Sequence, residues 1–199
     1  MRASLTGYPP TDKKSWMREL RICRDHGINH IRFHSWCPPE AAFEAADELG
    51  MYFMIECSSW ANQSTTIGDG GPLDAFIHNE AEAIVDAFGN HPSFCMMAYG
   101  NEPAGNGSGK YLADFVNYWR QRDARRLYTS ASGWPNLPEN DFLSDGRPRI
   151  QPWGAGLSSC INAQDPNTMY DWSSYAGVSN SPSSAMRLVS GACIPISRR

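Results

Sequence analysis

The sequence lacks the features that define several broad classes of protein. None of its apolar runs approaches the roughly 18 residues that a membrane-spanning helix needs, and residues 2–12 lack the apolar segment of a secretory signal peptide. A net charge of −4 with 19% charged residues offers no basic patch for nucleic acid. We therefore expect neither a membrane nor a nucleic acid as a partner. These features do not indicate in which cellular compartment the protein is found.

Metal-binding and disulfide patterns are also missing. The six cysteines form no CxxC pair and show no spacing typical of zinc ligands. Most of them lie in apolar or aromatic surroundings, where a free cysteine behaves as a small hydrophobic residue. We therefore expect no disulfide scaffold, no metal and no other cofactor, and the 41% of apolar residues is typical of a globular core.

Helix and strand patterns alternate along most of the chain. The predicted helices run from a cap at Thr11 or Asp12 to Gly27, from Pro38 to Leu49, from Leu73 to Phe88 and from Lys110 to Arg122. The predicted strands are Ile28–Phe33, Met51–Ile55, Ser93–Tyr99, Leu127–Ala131 and Arg149–Gln151. This alternation with short connections predicts an α/β fold with parallel strands. Two long loops, Ser58–Pro72 and Trp134–Pro148, follow strand C-termini, the end of a parallel sheet that carries functional loops.

The most informative segment runs from Asn90 to Glu102, with the sequence NHPSFCMMAYGNE. It predicts a buried strand that ends at Gly100 and places Asn101 and Glu102 in the loop that follows. A carboxylate at the C-terminal end of a parallel strand is where barrel enzymes keep their acids and bases. The competing interpretation is that Glu102 only begins the next helix.

This segment resembles the acid/base signature of glycoside hydrolase family 2, whose Asn–Glu pair ends the fourth strand of a (β/α)₈ barrel. Met97 departs from the family pattern, which usually has Trp at that position. Residues 25–34 and 46–52 resemble two helix–strand junctions of the same barrel. The resemblance covers residues 5–175 and implies an incomplete (β/α)₈ TIM barrel that contains strands two to six, within a domain at residues 1–175.

The resemblance also implies roles for residues at the strand ends. Glu102 would be the general acid/base of a retaining mechanism, and Asn101 would bind the sugar 2-OH. Glu56 would bind substrate or tune the charges of the site, although it could also be the second catalytic carboxylate. His34 would bind substrate, with a structural role as the alternative, and Arg32 would pair with Glu56 or Glu102.

Three tryptophans follow predicted strand ends, and we interpret them as walls of a sugar pocket. They are Trp60, Trp134 and Trp153. Packing in the core explains each of them equally well.

The end of the sequence does not fit the family. The family's nucleophile is a second Glu at the end of strand seven, yet residues 176–199 contain neither Asp nor Glu. Codons for Pro182 to Arg199 can be chosen so that a frame one base upstream encodes PVVSHEVGQWCVHPNFKK, which looks like that strand with His-Glu at the nucleophile position. We therefore expect a one-nucleotide frameshift between Tyr175 and Pro182 and a non-native tail at 176–199. An ordinary polar terminus is the alternative.

Three functions compete on this basis. The leading hypothesis is a retaining exo-glycosidase lineage of the β-galactosidase, β-glucuronidase and β-mannosidase type, with a glycoside or oligosaccharide as substrate. A catalytically inactive truncated barrel that keeps part of a sugar-binding surface is the second. A cellulase-like endo-glycosidase is the third.

Overall fold

The computed structural model describes residues 8–60 and 66–145, together with the backbone of a strand at residues 186–189. The helices are α1 (Lys13–Asp25), α2 (Glu40–Leu49), α3 (Pro72–Phe88) and α4 (Ser108–Arg122). The strands are β1 (His30–Arg32), β2 (Tyr52–Glu56), β3 (Phe94–Ala98), β4 (Leu127–Thr129), β5 (Phe142–Asp145) and β6 (Met186–Val189). In the part of the chain that these ranges cover, no helix is long and apolar enough to cross a membrane.

The helices begin and end where local chemistry predicts. Asp12 caps α1 by accepting a hydrogen bond from the Ser15 backbone N–H at 2.9 Å. Gly50 ends α2 in the left-handed conformation, with φ of 67°. Helix α4 buries the four apolar residues of its predicted inner face, which are Leu112, Phe115, Val116 and Trp119. All four predicted helices are therefore present.

The strands form a parallel sheet in sequence order. Strands β1, β2, β3 and β4 lie side by side, and each pair is parallel. The predicted α/β class with parallel strands is confirmed. Side chains alternate between the two faces, so that Phe53 and Ile55 of β2 pack against the helices while Met54 and Glu56 point to the other face.

One predicted loop contains a strand. The segment Trp134–Pro148 was expected to be irregular, but it includes β5, which lies beside β4. The Thr129 hydroxyl donates to the Phe142 carbonyl at 2.7 Å, and Ser132 forms a parallel bridge with Ser144. Turn-forming residues on both sides of this short strand concealed it in the sequence. The predicted strand Arg149–Gln151 lies outside the described residues.

Strand β6 falls within the segment predicted to be a non-native tail. It pairs with β5 in parallel, with Phe142 opposite Met186 and Asp145 opposite Val189. Strands β5 and β6 form a separate two-stranded sheet, which the parallel bridge between Ser132 and Ser144 links to the end of β4. The origin of residues 176–199 stays a prediction.

Candidate active site

Five successive strands place one polar side chain each at the C-terminal end of the sheet. These residues are Arg32 of β1, Glu56 of β2, Asn101 after β3, Ser132 after β4 and Ser144 of β5. They form one continuous hydrogen-bonded network, which we call the strand-end network. It is the polar floor of the candidate site.

Glu56 is the centre of the strand-end network and has no exposed surface. Its Oε1 accepts hydrogen bonds from Arg32 Nε and Ser132 Oγ, each at 2.5 Å. Its Oε2 accepts from the Ser35 backbone N–H at 2.7 Å and from Arg32 Nη2 at 3.1 Å. Four donors therefore satisfy a buried carboxylate whose burial would otherwise be costly.

The contacts of Glu56 bear on the roles considered for it. The predicted pairing of Arg32 with Glu56 is confirmed. A direct sugar contact would need an exposed carboxylate oxygen, which Glu56 does not offer here. The alternative role, in which Glu56 sets the charge and geometry of neighbouring groups, fits its contacts.

Arg32 also orients Asn101. Its Nη2 donates to Asn101 Oδ1 at 2.6 Å, and Asn101 is only 5% exposed. Because the guanidinium can only donate, it assigns the oxygen end of the Asn101 amide to the network. The amide nitrogen of Asn101 is thereby turned away from Arg32.

Ser132 and Ser144 complete the network on the far side of Glu56. Their hydroxyl oxygens are 2.8 Å apart. Ser132 has one hydroxyl proton, which it donates to Glu56. The Ser144 hydroxyl is therefore the donor, and the Ser132 oxygen the acceptor, in the hydrogen bond between the two serines. Sequence reasoning missed both residues, because a serine after a short strand is indistinguishable from an ordinary turn residue.

The backbone of Glu102, in the loop after β3, has an unusual conformation. Its φ is 42°, in the left-handed region that non-glycine residues rarely adopt. Its backbone N–H donates to the Ser132 carbonyl at 2.8 Å, which ties the turn to the next strand. Gly133 provides the space for the side chain, since a Cβ there would lie 2.9 Å from Glu102 Cγ.

Trp60 contacts the Glu102 carboxylate directly. Its indole Nε1 donates to Glu102 Oε2 at 2.8 Å, and the side chain is 43% exposed. The exposed His34 ring meets the edge of Trp60 with 4.8 Å between ring centroids. His34, Trp60 and Glu102, predicted from three separate strand ends, are thus neighbours.

Trp134 contacts the residue that follows Glu102. Its indole Nε1 donates to the carbonyl of Pro103, the residue after Glu102, at 2.9 Å, and it is 46% exposed. Neither Trp60 nor Trp134 is a core residue. Trp153, the third predicted pocket wall, lies outside the described residues.

The side chains that could bind a metal ion are dispersed in the described part of the chain. Nowhere in residues 8–60 and 66–145 do three or more His, Cys, Asp or Glu side chains group in a way that could hold a metal ion.

Comparison with known proteins identifies related sequences and folds. A family model described as glycosyl hydrolases family 2, TIM barrel domain, matches residues 9–145. A beta-galactosidase of Arthrobacter sp. (strain B7) is 27% identical over 124 residues, which make up 58% of this chain and 12% of that protein. A putative beta-glucuronidase of Formosa agariphila is 25% identical over 118 residues, or 59% of this chain and 11% of that protein. The chain thus spans a small part of the length of these curated relatives.

Solved structures share the fold. An FMN-binding beta-glucuronidase from Facaelibacterium prausnitzii L2-6 has a TM-score of 0.56 at 18% identity, covering 66% of this chain and 21% of that one. The beta-D-glucuronidase of Dictyoglomus thermophilum also has a TM-score of 0.56 at 18% identity, covering 69% of this chain and 26% of that one. At such identities the likeness concerns the fold alone.

Proposed function

Because this chain belongs to the TIM barrel domain of glycosyl hydrolase family 2, we propose that it carries the acid/base half of a retaining glycosidase site. The observation that carries the proposal is the position of Glu102. Its carboxylate lies at the C-terminal end of a central parallel strand, next to the buried Asn101 and in contact with the Trp60 indole. In a TIM barrel this end of the strands is the catalytic face.

In the proposed mechanism Glu102 first protonates the glycosidic oxygen and then removes a proton from the water that ends the reaction. Asn101 binds the 2-OH of the sugar, and Arg32 holds the Asn101 amide in the orientation for that contact. Hydrogen bonds to the 2-OH strengthen as the oxocarbenium-like transition state forms. His34 and the exposed tryptophans supply the remaining contacts to the sugar.

A retaining mechanism also needs a nucleophilic carboxylate about 5–5.5 Å from the acid/base. Glu56 is a poor candidate, because all four of its hydrogen bonds would compete with attack on a sugar carbon. We propose that the nucleophile belongs to the strand that the alternative reading frame of residues 182–199 encodes. On this proposal residues 1–175 form the partial barrel domain and residues 176–199 are not its native continuation.

The relatives named above suggest the class of substrate. They are called a beta-galactosidase and a putative beta-glucuronidase. We propose a β-linked glycoside or oligosaccharide as the substrate of the parent protein. An inactive sugar-binding barrel is the second candidate for the chain as it stands, and the lack of Asp and Glu in residues 176–199 favours it.

The acid role is tested by Glu102→Gln in the protein with the alternative frame restored. Substrates with poor leaving groups need the proton, so their turnover should fall by about 10²–10⁴-fold. Aryl glycosides with good leaving groups should lose much less in the glycosylation step. Glu44→Gln, a surface change on α2, is the matched control and should leave both rates unchanged. Equal losses for both substrate types would refute an acid role for Glu102.

The missing nucleophile is tested with the 199-residue chain itself. Incubation with a panel of aryl β-glycosides should give no turnover, because residues 176–199, where the family's nucleophile is expected, contain no carboxylate to form the glycosyl–enzyme intermediate. If the chain did hydrolyse a glycoside and Glu56→Gln abolished that activity, the proposal that Glu56 is not the nucleophile would be wrong. The coding DNA gives an independent answer, since codons incompatible with the alternative frame would exclude the frameshift.

A further inference from the structure

The loop between β2 and α3 and the loop of Glu102 are joined at a second place besides the bond from Trp60. The Ile67 backbone N–H donates to the Ala104 carbonyl at 3.0 Å, and Ile67 has no exposed surface. Ile67 follows Trp60 in the loop before α3, and Ala104 lies two residues after Glu102. The same two loops are therefore bonded once through side chains of the candidate site and once through their backbones.

Glycines bring the two backbones into direct contact beside this bond. A Cβ on Gly107 would collide with the Gly68 carbonyl oxygen, and a Cβ on Gly68 would collide with the Gly107 carbonyl. Gly105 is also confined, since a Cβ there would lie 2.7 Å from a backbone oxygen of the loop before α3. A side chain at any of these positions would block the close approach. We call the contact of residues 67–68 with residues 104–107 the loop junction.

The Asp74 carboxylate holds one side of the loop junction in shape. Its Oδ1 accepts from the Gly68 backbone N–H and its Oδ2 from the Gly70 backbone N–H, each at 2.8 Å. Both glycines have positive φ, 75° and 77°, a conformation that glycine adopts at no steric cost. Asp74 lies in the first turn of α3, and the Tyr111 hydroxyl of α4 donates to its carbonyl at 2.8 Å. The glycine turn is thereby attached to two helices.

Resting on the proposed function, we propose that Asp74 is a positioning residue for Glu102, which it holds through the loop junction. The strand-end network fixes Asn101, the residue before Glu102, and the loop junction fixes residues 104–107 after it. Glu102 lies between these two attachments with a left-handed φ that its surroundings must enforce.

The chemistry proposed for Glu102 makes its position matter. A general acid must lie within about 2.6–3.2 Å of the oxygen that it protonates. A displacement of about 1 Å, caused by a change far from the reacting atoms, can slow a reaction by about 10²-fold. Loosening the loop junction should therefore impair proton donation before it impairs the fold.

The first test follows the indole N–H signals of Trp60 and Trp134 in the NMR spectrum of the 199-residue chain. These signals report the bonds to the Glu102 carboxylate and to the Pro103 carbonyl. The side chain of Asp74→Asn has one oxygen, and its amide group cannot accept a bond from the second glycine N–H. Both indole signals should therefore shift in this variant.

Further variants act on the same contact by other means. Gly107→Ala blocks the loop junction directly and should shift the same two signals. Its effect and that of Asp74→Asn should not add in the double variant, because both act through one contact. Tyr111→Phe removes only the hydrogen bond to the Asp74 carbonyl and should shift the signals by less.

Two controls separate positioning from a loss of stability. Asp86→Asn makes the same substitution at an exposed position of α3 and should leave both indole signals unchanged. Gly50→Ala should lower the stability of the fold at the end of α2, next to the start of β2 and away from the loop junction. It should also leave both signals unchanged.

The second test measures turnover in the protein with the alternative frame restored. Asp74→Asn should slow substrates with poor leaving groups by about 10–10²-fold, and aryl glycosides with good leaving groups much less, because proton donation is the impaired step. Asp86→Asn should change neither rate. A variant that merely destabilised the fold would slow both classes of substrate together.

The outcomes distinguish this inference from the proposed function. Unchanged indole signals in Asp74→Asn, or shifts of the same size in Gly50→Ala, would overturn the positioning role and leave the acid role of Glu102 intact. Equal losses for both classes of substrate in Asp74→Asn, where Glu102→Gln affects mainly poor leaving groups, would also overturn it. Equal losses in Glu102→Gln itself would refute the acid role, and the indole signals would then decide alone whether Asp74 positions Glu102.

Discussion

Two residues at the candidate site adopt left-handed backbone conformations that residues other than glycine rarely adopt. Ser35 has φ of 51° and Glu102 has φ of 42°, and each comes shortly after a strand of the sheet. Such conformations cost on the order of 1–3 kcal/mol each and persist only where the surroundings enforce them. Here the Ser35 N–H holds Glu56, and the Glu102 N–H holds the Ser132 carbonyl. The strain is therefore located at the residues that shape the proposed site.

Gly133 is predicted to be a positioning residue for Glu102. Gly133→Ala introduces a Cβ about 2.9 Å from Glu102 Cγ at a φ of 94°, so it should displace the carboxylate and cost more than about 1 kcal/mol of stability. The Trp60 indole N–H signal, which reports the bond to Glu102, should shift. Gly109→Ala is the control, because a Cβ there meets open space within α4 and should be neutral or stabilising. An unchanged Trp60 signal in Gly133→Ala would contradict this role.

Asp123 should contribute a pH-dependent part of the stability. Hydrogen bonds from Arg125 lower the pKa of Asp123 to about 2 in spite of desolvation, and the charge of Arg126 acts in the same direction. A lowered pKa means that this stabilisation is complete above about pH 4, the value for an unfolded Asp, and is lost as the pH falls toward 2.

Asp123→Asn should therefore destabilise the protein by about 2 kcal/mol more at pH 6 than near pH 2, as measured by urea unfolding. The matched control is Asp114→Asn, which breaks the exposed pair with Lys110 and should have little effect at either pH. A destabilisation by Asp123→Asn that is independent of pH would contradict the ion-pair explanation.

At the scale of the elements, the helix ends position the strands. Helix α2 stops at Gly50, whose N–H bonds to the Ala46 and Asp47 carbonyls. Asp47 then reaches the start of β3, where it accepts from the Ser93 backbone N–H at 2.9 Å and bonds to His91 Nδ1 at 2.7 Å. These contacts give the segment 91–93, His-Pro-Ser, a structural role, because they attach β3 to α2 at the end of the sheet opposite the proposed site.

The end of α2 provides a prediction for this scale. Gly50→Ala should lower the free energy of unfolding by about 1 kcal/mol, because alanine is strained at φ of 67° although its Cβ would meet open space. Gly50→Asn should cost less, since Asn tolerates the left-handed conformation. Urea unfolding of both variants measures the difference, and equal stabilities would mean that the conformation of residue 50 is not the reason for the glycine.

At the scale of the whole molecule, the strand-end network connects five strands across the sheet. Every member except Arg32 is at most 7% exposed, and Glu56 carries the only charge that opposes the Arg32 guanidinium within the network. Removing one partner of a buried ion pair leaves the other charge uncompensated, which is more costly than the net gain from the pair itself.

Glu56→Gln is therefore predicted to cost about 3 kcal/mol or more in the free energy of unfolding, measured by urea denaturation. Glu44→Gln, which affects only a surface pair with Lys13 at 3.8 Å, is the control and should change stability little. A Glu56→Gln variant as stable as the control would show that the network contributes nothing to the fold.

How much could be predicted from the sequence depends on the range of the interactions involved. The helices, the strands β1 to β4 and the position of Glu102 at the end of β3 follow from local patterns, because periodicity, caps and glycine stops act within a few residues. The Asn90 to Glu102 segment carried enough family resemblance to indicate the barrel, and the family match over residues 9–145 confirmed it.

Only the tertiary structure revealed which strand ends share hydrogen bonds. Glu56 became the buried centre of a network, and Ser132 and Ser144 became its partners, through contacts between residues as many as 76 positions apart. Trp60 and Trp134 turned out to face solvent beside Glu102 rather than pack in the core. These outcomes depend on how parallel strands align at one edge of a sheet, and no local sequence pattern encodes that alignment.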